Sequence, residues 1–186
     1  MKKNFEIMTK TKQDLIDAFW AIYCEKRIEK VTVKEITQKA GYNRSTFYEY
    51  FIDVYDVLEH IETSIIPNIN EIPPIATSAG HLGMPLDIFL ELYEKNEKYN
   101  SVLLGDNGDA AFATKLKNSI KPMLQETFKG HVKLSEIELD FLLEYTLSAM
   151  IGIMSYWFKQ DKALPGEKLI SLMIEIMENG VIGILN

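Results

Sequence analysis

Thr32-Val-Lys-Glu-Ile-Thr-Gln-Lys-Ala-Gly-Tyr-Asn-Arg-Ser-Thr-Phe-Tyr-Glu-Tyr-Phe-Ile-Asp-Val-Tyr-Asp-Val-Leu58 is the stretch that decides the fold. Thr32 followed three residues later by Glu35 is a capping box, which predicts a helix from Val33 with Ile36 and Ala40 on its buried face. Gly41 ends that helix, because glycine takes the left-handed conformation that turns the chain sharply. Asn43 is an N-cap for a second helix from Arg44, about two turns long. Phe47 and Phe51, four residues apart, point that helix inward and leave Arg44, Ser45, Thr46, Tyr48 and Tyr50 on or near its outer face.

Helix, short turn, helix is the helix-turn-helix arrangement, in which the first residues of the second helix meet base edges in the major groove. Arg44 occupies such a position, and an arginine can give two parallel hydrogen bonds to a guanine edge. The neighbouring hydroxyls and phenols suit phosphates, which fix register without reading sequence. On spacing alone, a plain surface pair of helices is an equal alternative.

Thr-Val-x-x-Ile-x-x-x-Ala-Gly-x-x-x-x-Thr-Phe-Tyr-x-Tyr-Phe, with Asp-Val-Leu beyond it, resembles the N-terminal signature of the TetR family of transcriptional regulators. The resemblance covers about fifty residues, from near Thr11 to Leu58. It implies an all-α fold: an N-terminal three-helix helix-turn-helix DNA-binding domain over residues 1–52 and a helical effector-binding and dimerisation domain over 53–186. It also places Thr32, Arg44, Ser45, Thr46, Tyr48 and Tyr50 on positions the family uses to touch DNA. Lys34, Tyr42 and Asn43 complete the expected DNA-facing set. Val54 stands where the family often has a phosphate-gripping lysine, and Glu49 puts a negative charge in the recognition helix; both predict weaker phosphate binding.

The net charge of −7 is unusual for a polyanion binder, but it is unevenly spread. Residues 1–52 carry ten Lys or Arg against seven Asp or Glu, and residues 53–186 carry ten against twenty. A local patch matters more than the total, so binding is expected to be salt-sensitive and to need two heads. A hydrophobic content of 47% over 186 residues is enough for a packed core. There is no apolar run long enough for a membrane span and no signal-peptide pattern, so the expected location is the cytoplasm. The lone cysteine, Cys24, excludes an internal disulfide and is expected to be a small buried hydrophobe.

Residues 1–10 read as a lysine-bearing, disordered arm, followed by a supporting helix from Thr11 that carries Leu15, Phe19 and Ile22. Asp53 caps a connector helix that ends before Pro67. Four prolines between 67 and 85 predict a loop, which could lie near a ligand entrance, and Leu86 to Tyr93 a helical stripe. Tyr99 to Asp109 reads as loop, and Asp109 to Phe128 as a helix bent by Pro122. Ser135 and Glu138 make another capping box, opening a helix to about Lys159 that is apolar on nearly all sides. The last helix opens near Pro165 and runs to Gly180.

The last two helices cannot easily bury their apolar surface within one chain. The resemblance implies that they form a homodimeric four-helix bundle, with Ser148, Gly152 and Ser155 as a small-residue ridge and Leu169, Met173 and Ile176 opposite. A dimer also matches a palindromic double-stranded operator. Phe89, Tyr93, Phe112, Met123, Tyr145 and Trp157 are candidates for an apolar effector pocket, with plain core as the alternative. No catalytic, metal or cofactor motif is present. The function expected is therefore a TetR-type regulator, a repressor released by a small-molecule effector. The alternative is a coactivator or adaptor of the same fold that works through protein partners.

Overall fold

The computed structural model describes residues 2–66, 77–78, 81–82, 94–105, 108, 110–129 and 132–185. The chain divides into two compact units, Met1–Ile65 and Ile66–Asn186.

In the first unit, α1 (Lys2–Tyr23) carries α2 (Val33–Ala40) and α4 (Val54–Ile65) on one side, and α3 (Arg44–Tyr48) packs on α2. The arm expected over residues 1–10 is helical from Lys2 onward. No glycine or proline interrupts residues 2–23, so the helix propagates past Thr11, which is buried within it rather than capping it. Leu15, Phe19, Trp20 and Tyr23 are buried with Ile36, Phe47, Val57 and Ile61, and this is the core of the unit. Phe19 and Tyr23 stack with ring centroids 5.6 Å apart. Cys24 is exposed, contrary to expectation, because α1 ends at Tyr23 and Cys24 lies beyond the last inward position. The sequence placed a boundary between residues 52 and 53, but by packing α4 belongs to the first unit, where Val54, Val57, Leu58 and Ile61 are buried.

The second unit begins, among the described residues, with a two-residue antiparallel ribbon of β1 (Thr77–Ser78) and β2 (His81–Leu82), within the expected loop. The expected prolines and the stripe from Leu86 to Tyr93 lie outside the described residues. Then follow α5 (Glu97–Leu103), α6 (Ala110–Phe128, with Pro122 inside), α7 (Glu136–Lys159) and α8 (Gly166–Leu185). Helix α5 falls where a loop was expected, and it buries Asn100 and Leu103. Helix α7 starts at its capping box: Ser135 Oγ accepts from Glu138 N at 3.3 Å, and Ser135 N donates to Glu138 Oε2 at 2.8 Å. Leu139, Leu143, Leu147, Met150, Ile151, Met154 and Trp157 form its buried stripe, and Leu142 is exposed instead of joining them. Helix α8 is broken at Gly180, whose φ of 69° departs from the helical range.

Candidate nucleic-acid interface

Two caps and a glycine build the helix-turn-helix. Thr32 and Glu35 form the full capping box of α2, and Glu35 Oε1 also takes the Lys26 ammonium at 2.6 Å. That lysine and the Thr32 hydroxyl hold the Glu35 carboxyl below its ordinary range. Gly41 closes α2 with φ 77°, in the left-handed region that a Cβ disfavours. Asn43 then caps α3: its Oδ1 accepts from Thr46 N at 2.8 Å, Thr46 Oγ1 at 3.1 Å and Ser45 Oγ at 2.5 Å. Phe47 is fully buried beneath the helix and packs on Phe51 and edge-on to Tyr48.

Arg44 is thus the first residue of a short helix anchored at both ends, and it is exposed. Lys34, Asn43 and Tyr48 are exposed with it, Tyr48 to 58%. Three expected contacts are already engaged inside the protein. Thr32 Oγ1 donates to Glu35 at 2.7 Å, and the Ser45 and Thr46 hydroxyls donate to Asn43, so their protons serve the caps rather than standing ready for phosphate. Tyr42 is half-buried, its phenol donating to Asp14 Oδ2 of α1 at 2.9 Å, which ties the turn to the supporting helix.

Helix α3 spans five residues rather than about two turns. Tyr50 lies past its end, half-buried, and Glu49 is its C-cap residue instead of an interior one. Val54 is buried at the start of α4, where Asp53 Oδ1 accepts from Tyr55 N and Asp56 N at 2.8 and 2.9 Å. His60 adds little positive charge near neutral pH, because burial and the nearby Lys12 hold its pKa below the ordinary value against the pull of Asp56.

In the second unit, none of the described residues expected to line a pocket borders the cavity beside α7. Phe112 and Trp157 are buried, and the Trp157 indole donates to Leu164 O at 2.6 Å. Met123 is half-buried and Tyr145 is 69% exposed, while Phe89 and Tyr93 lie outside the described residues. Among the described residues a cavity lies along α7, beside Ser148, Gly152 and Ser155. Ser155 Oγ donates to Leu104 O, so part of the expected dimer ridge faces α5. Leu169 and Met173 are buried within the unit, whereas Leu172, Ile174 and Met177 are exposed apolar residues of α8. On α7, Leu142, Tyr145, Ala149, Gly152 and Tyr156 are all exposed at alternating spacings of three and four. That heptad spacing is readable in the sequence and marks a seam for another helix better than small residues alone do.

Residues 84–179, just over half of the chain, match the family described as the TetR-type transcriptional regulator C-terminal region. The chain belongs to the TetR family of transcriptional regulators. It is similar to the uncharacterized HTH-type transcriptional regulator YxbF of Bacillus subtilis (strain 168), 21% identical over 170 residues. That match covers 87% of this chain but 43% of YxbF, so the chain spans less than half the length of that relative. Among solved structures it resembles a TetR transcriptional regulator from Streptococcus agalactiae 2603V, with 20% identity, TM-score 0.69 and coverage of 94% and 97% of the two chains. A TetR-family regulator from Streptomyces coelicolor shares the fold at TM-score 0.61 and 16% identity, covering 90% and 78%. So does the dihydroxyacetone kinase operon activator DhaS, at TM-score 0.58 and 19% identity, covering 90% and 94%. The TetR fold thus carries an activator as well as regulators of unstated sign. No helix among the described residues is long and apolar enough to cross a membrane.

Proposed function

We propose that this regulator binds a palindromic operator as a cytoplasmic homodimer, represses by doing so, and is released by a small-molecule effector of its second unit. The observation that carries the DNA reading is Arg44, exposed at the first position of a helix whose cap and buried Phe47 leave it little freedom. A preorganised arginine loses less entropy when it meets a guanine edge than one on a mobile loop. The exposed seam of α7, with Leu172 and Met177 of α8, supports dimerisation, because so much outward apolar surface is costly in a monomer. Release follows from linkage: an effector lowers operator affinity only as far as it prefers the conformation that binds DNA poorly.

The adaptor reading has its own support in this head. Val54 offers no cation to a phosphate, and the hydroxyls of Thr32, Ser45 and Thr46 are committed to caps. The deciding experiment is binding of the purified protein to its own upstream DNA and to a scrambled duplex, for wild type and Arg44→Ala, at two salt concentrations. Sequence-specific binding that the substitution abolishes supports the regulator acting on DNA. Equal, weak binding to both duplexes, unchanged by the substitution, rejects it in favour of the adaptor.

A further inference from the structure

A cavity of about 470 Å³ opens between α5, α6 and the second half of α7, a volume within the range of small-ligand sites. Leu103, Leu104 and Ile151 give it apolar walls, and the polar groups facing it include Lys117, Lys159 and the Ser148 hydroxyl. No carboxylate is among its described lining residues. The floor near α5 is tightly built: a Cβ on Gly108 would come within 1.9 Å of the Leu103 carbonyl oxygen, so position 108 has no room for a side chain. We propose that this cavity is the effector site and that its ligand is a small amphipathic carboxylate, its acid group on Lys117 and its apolar body against Leu103 and Ile151. This rests on the effector-controlled regulator proposed above and names the chemistry of its site.

Lys117 makes the case because it is half-buried at the cavity wall, its side chain 19% exposed, and its ammonium is held in place by Glu144 and, at 3.3 Å, by Ser148 Oγ. A partly shielded ammonium favours an anionic partner, and two can compete for this one. Glu144 can give it up at small cost: its other oxygen already meets Lys121 Nζ at 3.2 Å, and Lys121 in turn holds Asp140 at 2.9 Å. When a ligand carboxylate takes Lys117, the ammonium keeps a counter-charge and Glu144 keeps Lys121. The exchange leaves each cation with an anionic partner. An alcohol of the same length cannot replace that counter-charge, and an alkylammonium would meet a second cation.

The test is calorimetric titration of the full chain, without DNA, with octanoate, 1-octanol and octylamine, for wild type, Lys117→Met and Lys117→Arg. Charge-assisted hydrogen bonding predicts that wild type binds octanoate about tenfold or more tightly than octanol. Lys117→Met should bring the two within about threefold of each other while retaining octanol, and Lys117→Arg should keep the preference. A variant that merely misfolds loses octanol as well, and then Lys117→Arg decides: retention of the preference supports the site and its loss overturns it. The proposal is also overturned if wild type binds octanol as well as octanoate, if the preference survives in Lys117→Met, or if no probe saturates. Octanoate that binds at Lys117 yet leaves operator occupancy unchanged would instead reject effector control, with the chemistry of the cavity intact.

Discussion

The two capping boxes of this protein share one chemistry and differ in what they hold. Thr32 and Glu35 start a helix of eight residues, and Ser135 and Glu138 start one of twenty-four. The longer helix is secured by a full stripe of buried Leu, Met and Trp side chains, so its cap trims one end of a structure that packing maintains. The two helices of the helix-turn-helix have far less packing of their own: α2 buries Ile36 and Thr37, and α3 buries Phe47 alone. Caps and a single aromatic anchor therefore carry a larger share of its order. A helix held by its end and one anchor leaves its outer face polar and available to a polyanion, while a helix that buries one apolar stripe and carries more apolar residues beyond it leaves surface for another protein chain.

The strongest break of that contrast is Phe47→Ala, which should cost about 3–5 kcal/mol in the head. Chemical denaturation followed by circular dichroism should show the early loss of a small helical fraction, with operator binding abolished. A single unchanged transition would mean that α3 does not depend on its anchor. Next come the caps themselves, each worth about 1 kcal/mol. Hydrogen exchange should show Asn43→Ala exposing the amides of α3, whereas Ser135→Ala frays only the first turn of α7. Equal local effects in both places would contradict the difference drawn between the units.

Val54→Lys should sharpen the polar side of the comparison. A lysine stem can lie along the wall that Val54 occupies and bring its ammonium out toward a phosphate, so operator affinity should rise severalfold and the log–log salt slope should steepen by about one per head. An unchanged slope would show that position 54 does not face the backbone of bound DNA. The smallest effect is acidic. Glu35 and Glu138 both titrate below the ordinary carboxylate value of 4.5, Glu35 chiefly through Lys26 and Glu138 through the Ser135 hydroxyl. For a depressed carboxylate the added stability is full above the unfolded value and fades as pH falls through the folded one, so both caps weaken below about pH 4.5. Only the Glu35 contribution should shrink in high salt, because its main partner is a cation. Carboxyl NMR titrations at two ionic strengths check this directly.

What the sequence revealed follows from how far apart the cooperating residues lie. The caps at Thr32, Asn43 and Ser135 and the turn at Gly41 are interactions over a few residues, and each is readable from its own neighbourhood. The start of α1, Lys2, lies well before the Thr11 at which the sequence pattern begins, because the apolar spacing starts only there although nothing before it stops a helix. The engagement of Tyr42 with Asp14 spans 28 residues, and those of Lys117 with Glu144 and Ser155 with Leu104 span 27 and 51. No local pattern announces such pairs. The cavity beside α7 likewise joins residues far apart in the chain, a small-residue face of one helix and the lysines at 117 and 159, so its lining has no local signature.

Gly41 bears on stereochemistry as well as on the turn. Nothing lies within 4 Å of where its Cβ would stand, so the objection to a side chain there is one of handedness and not of room. An L-alanine must be forced into a φ of 77°, but its mirror image prefers that region. A semisynthetic protein with D-alanine at position 41 should fold with α2 and α3 unchanged, and should gain about 0.4–1 kcal/mol because its unfolded chain has fewer conformations to lose.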